Sequence, residues 1–183
     1  MTVGVFGGSF NPVHNGHIAL AEAIVGKGIV DEVWLTLSPL NPLKEHPDEL
    51  VSDTDRMEML RLATEGIPGL RACDIELSLP RPSYTINTLH ALSAAYPDVR
   101  FRLVMGADNR IIFNKWKSHE EIERLYRPIV YPRPGFQCHE ALDLDLYDIS
   151  STEIRRRVKT GESLNNLIPT GVLNYIRSHN LYR

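Results

Sequence analysis

A short apolar run, Thr2 to Phe6, passes directly into Gly7-Gly8-Ser9-Phe10-Asn11-Pro12-Val13-His14-Asn15-Gly16-His17. The run reads as a buried strand. The glycines let the backbone turn tightly and approach a ligand, at φ values that most residues avoid. From about His14 to Lys27, the spacing of Ile18, Leu20, Ala21, Ile24 and Val25 predicts a helix. A glycine turn between a strand and a helix N-terminus aims free N–H groups and a positive dipole end at one point, which suits an anion and most often a phosphate. His14 and His17, three residues apart on the first turn, face that same point.

Strand-like and helix-like segments alternate through the rest of the chain. Strands are expected at Glu32 to Leu37, Leu70 to Leu77, Phe101 to Met105 and Ile129 to Tyr131. Helices are expected at Ser52 to Glu65, with Ser52 or Asp53 as N-cap, and at Tyr84 to Tyr96. Ser118-x-x-Glu121 reads as a capping box opening a helix to about Arg127. Ser151 to Thr160 is a helix closed by Gly161, and Pro169 opens a last one to about Ser178. Such alternation implies an α/β fold, a mostly parallel sheet covered by helices, with ligands at the carboxyl ends of its strands. The proline-studded stretch Ser38 to Pro47 is the longest loop candidate and a place for binding residues.

At 183 residues, one domain spanning residues 1–183 is expected. The net charge of −3 argues against general nucleic-acid binding. Yet 14 of the 20 Lys and Arg lie after residue 91, which suits an anionic ligand held partly by the C-terminal half. No apolar run approaches membrane-spanning length and no leader is apparent, so a cytoplasmic protein with no membrane partner is expected. Cys73 and Cys138 have no metal-like spacing. Homo-oligomerisation is left open.

Three phosphate or metal motifs can be tested on the first turn. A P-loop needs a lysine that is absent, and Gly4, Gly7, Gly8 and Gly16 do not fit the G-x-G-x-x-G fingerprint. A zinc protease needs two histidines four apart with a glutamate between, which is also absent. What remains is the H-x-x-H pair. By itself it could be a pair of polar helix-start residues, and Ser151-Thr152-x-x-Arg155 could be a plain N-cap with a surface arginine.

Together these segments resemble a known superfamily. Gly7 to His17 is similar to the (G/T)-x-x-H-x-G-H signature of the nucleotidyltransferase α/β-phosphodiesterases, and Ile149-Ser150-Ser151-Thr152-Glu153-Ile154-Arg155 resembles their I-S-S-T-x-I-R signature. The resemblance implies a Rossmann-like domain, helices on both faces of the sheet and a small C-terminal helical part, that transfers a nucleotidyl group and releases pyrophosphate. It implies ATP binding by Gly7, Gly8, Ser9, Phe10, His14, His17, Ser151, Thr152 and Arg155, with His14, His17 and Arg155 as the catalytic set. No protein metal site is expected. Such chemistry needs alignment and charge stabilisation rather than a protein nucleophile, because the attacking phosphate is already anionic.

Between the signatures the chain resembles the nicotinate-nucleotide adenylyltransferases. Pro82-Ser83-Tyr84-Thr85-Ile86-Asn87-Thr88-Leu89 is similar to their S-Y-T-x-D-T-L segment. Gly106-Ala107-Asp108-Asn109, followed by Phe113 and Trp116, resembles their G-x-D motif, and Arg56 falls in their R-x-x-M-L segment. The implied acceptor is nicotinate mononucleotide, bound by Lys44, Ser83, Tyr84, Thr85, Gly106, Asp108 and Trp116. Trp116 can stack on the pyridine ring while Thr85 and nearby N–H groups receive the carboxylate. Trp116 as a core aromatic, Thr85 as a helix cap, Asp108 as either a ribose contact or a cap, and Lys44 as a plain loop lysine stay open on the residues alone. Asn11 and Asn87 stand where many members carry aspartate. The implied magnesium ion is then held mainly by phosphates and waters. Other readings are a related transferase with nicotinamide mononucleotide or phosphopantetheine as acceptor, and a nucleotide sensor without turnover.

Overall fold

The computed structural model describes residues 1–39, 50–145, 147 and 149–183. Five strands form one sheet: β1 (Thr2–Gly8), β2 (Glu32–Leu37), β3 (Leu70–Cys73), β4 (Arg100–Gly106) and β5 (Ile129–Tyr131). Their order is β3-β2-β1-β4-β5 and every pairing is parallel. Helices α1 (Asn15–Gly26), α2 (Asp53–Thr64), α3 (Thr85–Ala95), α4 (Ala107–Ile111), α5 (His119–Tyr126), α6 (Ser151–Thr160) and α7 (Thr170–Ser178) connect and cover it.

Strand periodicity explains the layering. Successive side chains point to opposite faces of a strand, so Val33 and Leu35 of β2 enter one apolar cluster while Trp34 enters the other. Val104 likewise divides from Leu103 and Met105 on β4, and Val130 from Ile129 and Tyr131 on β5. The first cluster takes the apolar stripes of α1, α2, α6 and α7; the second takes those of α3 and α5. The result is a sheet between two helical layers, a Rossmann-like arrangement. The C-terminal helices belong to the first layer, where Val172 and Ile176 of α7 pack in the same cluster as Met57 and Leu60 of α2.

Two expected elements differ. The strand predicted over Leu70 to Leu77 ends at Cys73, and Ile75–Ser78 forms a 3₁₀ turn. There the alternation Ile75, Glu76, Leu77 mimics a strand, but Glu76 turns inward. The capping box at Ser118 does not form either. Ser118 has φ 54° and no side-chain bond to α5, because the tight turn after Trp116 forces a left-handed N-cap.

Chain order reverses between β1 and β4, the neighbours at the centre of the sheet. In an open α/β sheet the connecting segments diverge at such a point and leave a crevice beyond the strand ends. Gly8 ends β1 and Gly106 ends β4.

Candidate active site

His14 is the N-cap of α1, extended at φ −145°, and His17 is its third residue. The His14 N–H donates to His17 Nδ1 at 3.2 Å, and the two rings stack with centroids 3.6 Å apart. A backbone N–H can only donate, so His17 Nδ1 carries the lone pair. While that bond stands the ring is the neutral Nε2–H tautomer, a single donor with a fixed identity. Burial, reinforced by the Arg133 charge, pulls the His14 imidazole down to about 4. His14 is therefore neutral near pH 7. At the start of α1, Asn15 N–H is already given to the Leu167 carbonyl at 2.9 Å, so this helix end offers fewer open donors than its sequence suggests.

Phe10 shapes the turn itself. Its backbone is left-handed at φ 41°, its ring is buried, and it stands edge-on to His17 at 5.0 Å. That ring also explains Gly8, where a Cβ would come within 3.0 Å of Phe10 Cζ. Phe10 and Ser9 support the turn from within: the Ser9 carbonyl accepts a 2.7 Å hydrogen bond from Arg56 Nη1. Arg56, fully buried on α2, also donates to the Ser38 and Val51 carbonyls and pairs with Asp53.

The start of α6 is tied to the same turn. Ser151 Oγ donates to the Pro12 carbonyl at 2.9 Å, and Arg155 Nη1 donates to the Asn11 carbonyl at 3.0 Å. Ser150, the N-cap, accepts from Glu153 N–H, which leaves the Ser151 and Thr152 N–H groups outside the helix's own bonding. Residues some 140 positions apart thus meet with two histidines, a guanidinium and a helix start. Arg156 and Arg157 pair instead with Glu153 on the surface.

Beside this corner, at the reversal between β1 and β4, lies a cleft of about 420 Å³. Gly7, Gly8, Ser83, Tyr84, Thr85, Gly106 and Trp116 line it, so the structure brings together most of the predicted acceptor residues. A Cβ at Gly106 would displace the tip of the Asp108 side chain and press to 3.2 Å from Tyr131 Cζ. Tyr84 caps α3 without a side-chain bond, so the Thr85 and Ile86 N–H groups are open at that helix start. Trp116 adds a half-buried ring whose Nε1 has no hydrogen bond among the described residues.

Asp108 lies in the first turn of α4 and outside the residues that line the cleft, and its Oδ1 is 3.6 Å from Arg133 Nε. Lys44 lies outside the described residues. Sequence reasoning passed over Glu76, Thr88 and Lys117, all in the cleft wall. Glu76 and Thr88 are buried, whereas Lys117 Nζ sits 4.6 Å over the Tyr84 ring. Among the described residues no group of three or more His, Cys, Asp or Glu is placed to hold a metal ion, and no helix is long and apolar enough to cross a membrane.

Comparison with known proteins gives the family and the fold. Residues 5–157 match the model of the cytidylyltransferase-like family. The probable nicotinate-nucleotide adenylyltransferase of Bacteroides fragilis is 42% identical over 169 residues, covering 88% of this chain and 84% of the relative. That of Flavobacterium psychrophilum is 37% identical over 100% of both chains. In fold, the chain is similar to the Plasmodium falciparum nicotinic acid mononucleotide adenylyltransferase complexed with NaAD, with a TM-score of 0.78 and 18% identity over 99% of this chain and 97% of that one. A putative nicotinate-nucleotide adenylyltransferase from Vibrio parahaemolyticus superposes with a TM-score of 0.77 at 22% identity, covering 100% of this chain and 95% of that one.

Proposed function

The chain belongs to the cytidylyltransferase-like family and, within it, to the nicotinate-nucleotide adenylyltransferases, and from that premise we infer how its residues divide the work. The reaction is transfer of the adenylyl group of ATP to nicotinate mononucleotide, a step of NAD biosynthesis. The observation that carries the division of labour is the adjacency of two unlike sites. One is the corner built by His14, His17 and the α6 start; the other is the aromatic cleft of Trp116 and α3.

An oxygen of the mononucleotide phosphate attacks the α-phosphorus of ATP. The new O–P bond forms as the bond from the α-phosphorus to the bridging oxygen breaks, and pyrophosphate leaves with that electron pair. Negative charge grows on the α- and β-phosphate oxygens, where fixed donors act most strongly. The His17 Nε2–H, the neutral His14 ring, the Arg155 guanidinium and the α6 N–H groups are those donors in our reading. Gly7 and Gly8 let the backbone pass close beneath the nucleotide. Ser151 spends its hydroxyl proton on Pro12, so its contribution is its N–H and the closure of the corner.

The acceptor ring stacks on Trp116, and its carboxylate meets the open N–H groups at Thr85. Magnesium enters as part of the ATP substrate. Among the described residues, the groups that meet at the corner are histidines, hydroxyls and a guanidinium, which fits an ion carried by phosphates and water.

Pyrophosphate release from ATP, magnesium and nicotinate mononucleotide tests the reading. His17→Ala is expected to lower kcat about 100-fold or more, as loss of one charge-stabilising donor does. Nicotinamide mononucleotide and phosphopantetheine are expected to be poor acceptors in the same assay. Equal turnover with all three, or an active His17→Ala protein, would overturn it.

A further inference from the structure

Glu76 is a buried carboxylate, 6% exposed, in the wall of the acceptor cleft. Among the described residues no lysine or arginine pairs with it. Its two oxygens are both occupied by neutral donors: Ser83 Oγ donates to one at 3.0 Å and Thr88 Oγ1 to the other at 2.7 Å. Taking a carboxylate out of water without a cation is costly, and an apolar side chain would fill the same space at no such cost. The arrangement calls for a function in the site it faces.

We propose that Glu76 is the positioning residue of the acceptor site, clamping the Ser83 loop and the first turn of α3 so that the helix start receives the acceptor's carboxylate. Ser83 lies two residues before α3, and Thr88 lies one turn into it. One rigid carboxylate gripping both sides fixes the height of the Thr85 and Ile86 N–H groups against the Gly106 and Trp116 wall. A carboxylate can only accept, so it also turns both hydroxyl protons toward itself. Toward the cleft, Ser83 and Thr88 then offer lone pairs alone, which repel an incoming carboxylate and turn it toward the helix start. This role rests on the reading of the cleft as the nicotinate mononucleotide site.

Steady-state kinetics on Glu76→Gln, Thr88→Val and Thr88→Ser tests it, varying each substrate in turn. In Glu76→Gln the amide N–H₂ must donate to one hydroxyl and reverse its proton. The KM for nicotinate mononucleotide is expected to rise about tenfold, the scale of one misdirected hydrogen bond (about 1.4 kcal/mol). The KM for ATP and kcat should stay within about twofold. Thr88→Val should shift the same constant in the same direction, and Thr88→Ser, which keeps the hydroxyl, should restore it. The valine and serine pair decides the question if Glu76→Gln fails to fold. Should the acceptor KM stay put in the folded variants, or rise together with the ATP KM, the positioning role is overturned. An inactive wild type would instead overturn the reading of the cleft itself.

Discussion

Tyr182 and Asn11, 171 positions apart, are joined by a 2.9 Å hydrogen bond from the tyrosine hydroxyl to the buried amide oxygen. The same oxygen accepts Val51 N–H at 3.3 Å, and the Asn11 carbonyl accepts Arg155. Tyr182 therefore braces the turn to which Arg155 is tied. Tyr182→Phe removes one donor to Asn11 Oδ1, leaves the Val51 N–H in place and keeps the ring packing. Urea unfolding is expected to show a loss of about 1 kcal/mol, typical of a single buried hydrogen bond whose acceptor keeps a second partner.

Arg56 carries a larger consequence. Its guanidinium serves the Ser9, Ser38 and Val51 carbonyls and Asp53 at once, and Asp53 is held from its other side by Arg81 at 2.6 Å. Lysine has three donors on one nitrogen and cannot reach acceptors spread around a planar fork. Arg56→Lys is expected to destabilise by about 2–4 kcal/mol, because buried carbonyls and a buried charge lose partners. Denaturant midpoints measure this. A higher KM for ATP should accompany it, since the Ser9 turn loses its tether.

His14 makes stability depend on pH. In the folded chain its imidazole is pulled down to about 4 by burial and by Arg133, against about 6.5 when unfolded. Between those values the unfolded chain binds the extra proton, so stability falls as pH falls. The contribution is whole above about 6.5 and is lost on passing through about 4, on the order of 3 kcal/mol in all. Chemical denaturation of the wild type and His14→Asn at a series of pH values checks this. The wild type should show the steeper slope in that window.

How far the sequence anticipates these devices differs by feature. The alternation of apolar runs and glycine breaks places every strand and long helix, since buried parallel strands and amphipathic helices are patterned locally. Ile129 to Tyr131 and Ser151 to Thr160 agree with the structure residue for residue. The paired corner is legible because both of its halves are contiguous motifs. Glu76 and the partners of Arg56 are not, because burial of a charge depends on which distant hydroxyls and carbonyls the fold gathers around it. Glu76 sits between Ile75 and Leu77 in a pattern that reads as a half-exposed strand. Ser118 has the residues of a capping box and lacks its backbone, since φ is decided by the turn before it.

Lys117 carries the last prediction. Its ammonium rests 4.6 Å over the Tyr84 ring, beside the α3 start that we propose as the seat of the acceptor's carboxylate, and it belongs to the cleft wall. Nicotinate and nicotinamide mononucleotides differ there by one negative charge in nearly the same shape. A nearby cation favours only the first. Because Lys117 is exposed, water screens the attraction and the gain is under about 1 kcal/mol. Lys117→Met keeps the stem on Tyr84 and deletes the charge. It is expected to lower kcat/KM for nicotinate mononucleotide about threefold while leaving that for nicotinamide mononucleotide unchanged. The difference should shrink as salt rises, since screening already weakens the wild-type attraction. Side-by-side kinetics at low and high ionic strength measures both effects. A fall of equal size with the two acceptors would instead assign Lys117 to packing against Tyr84.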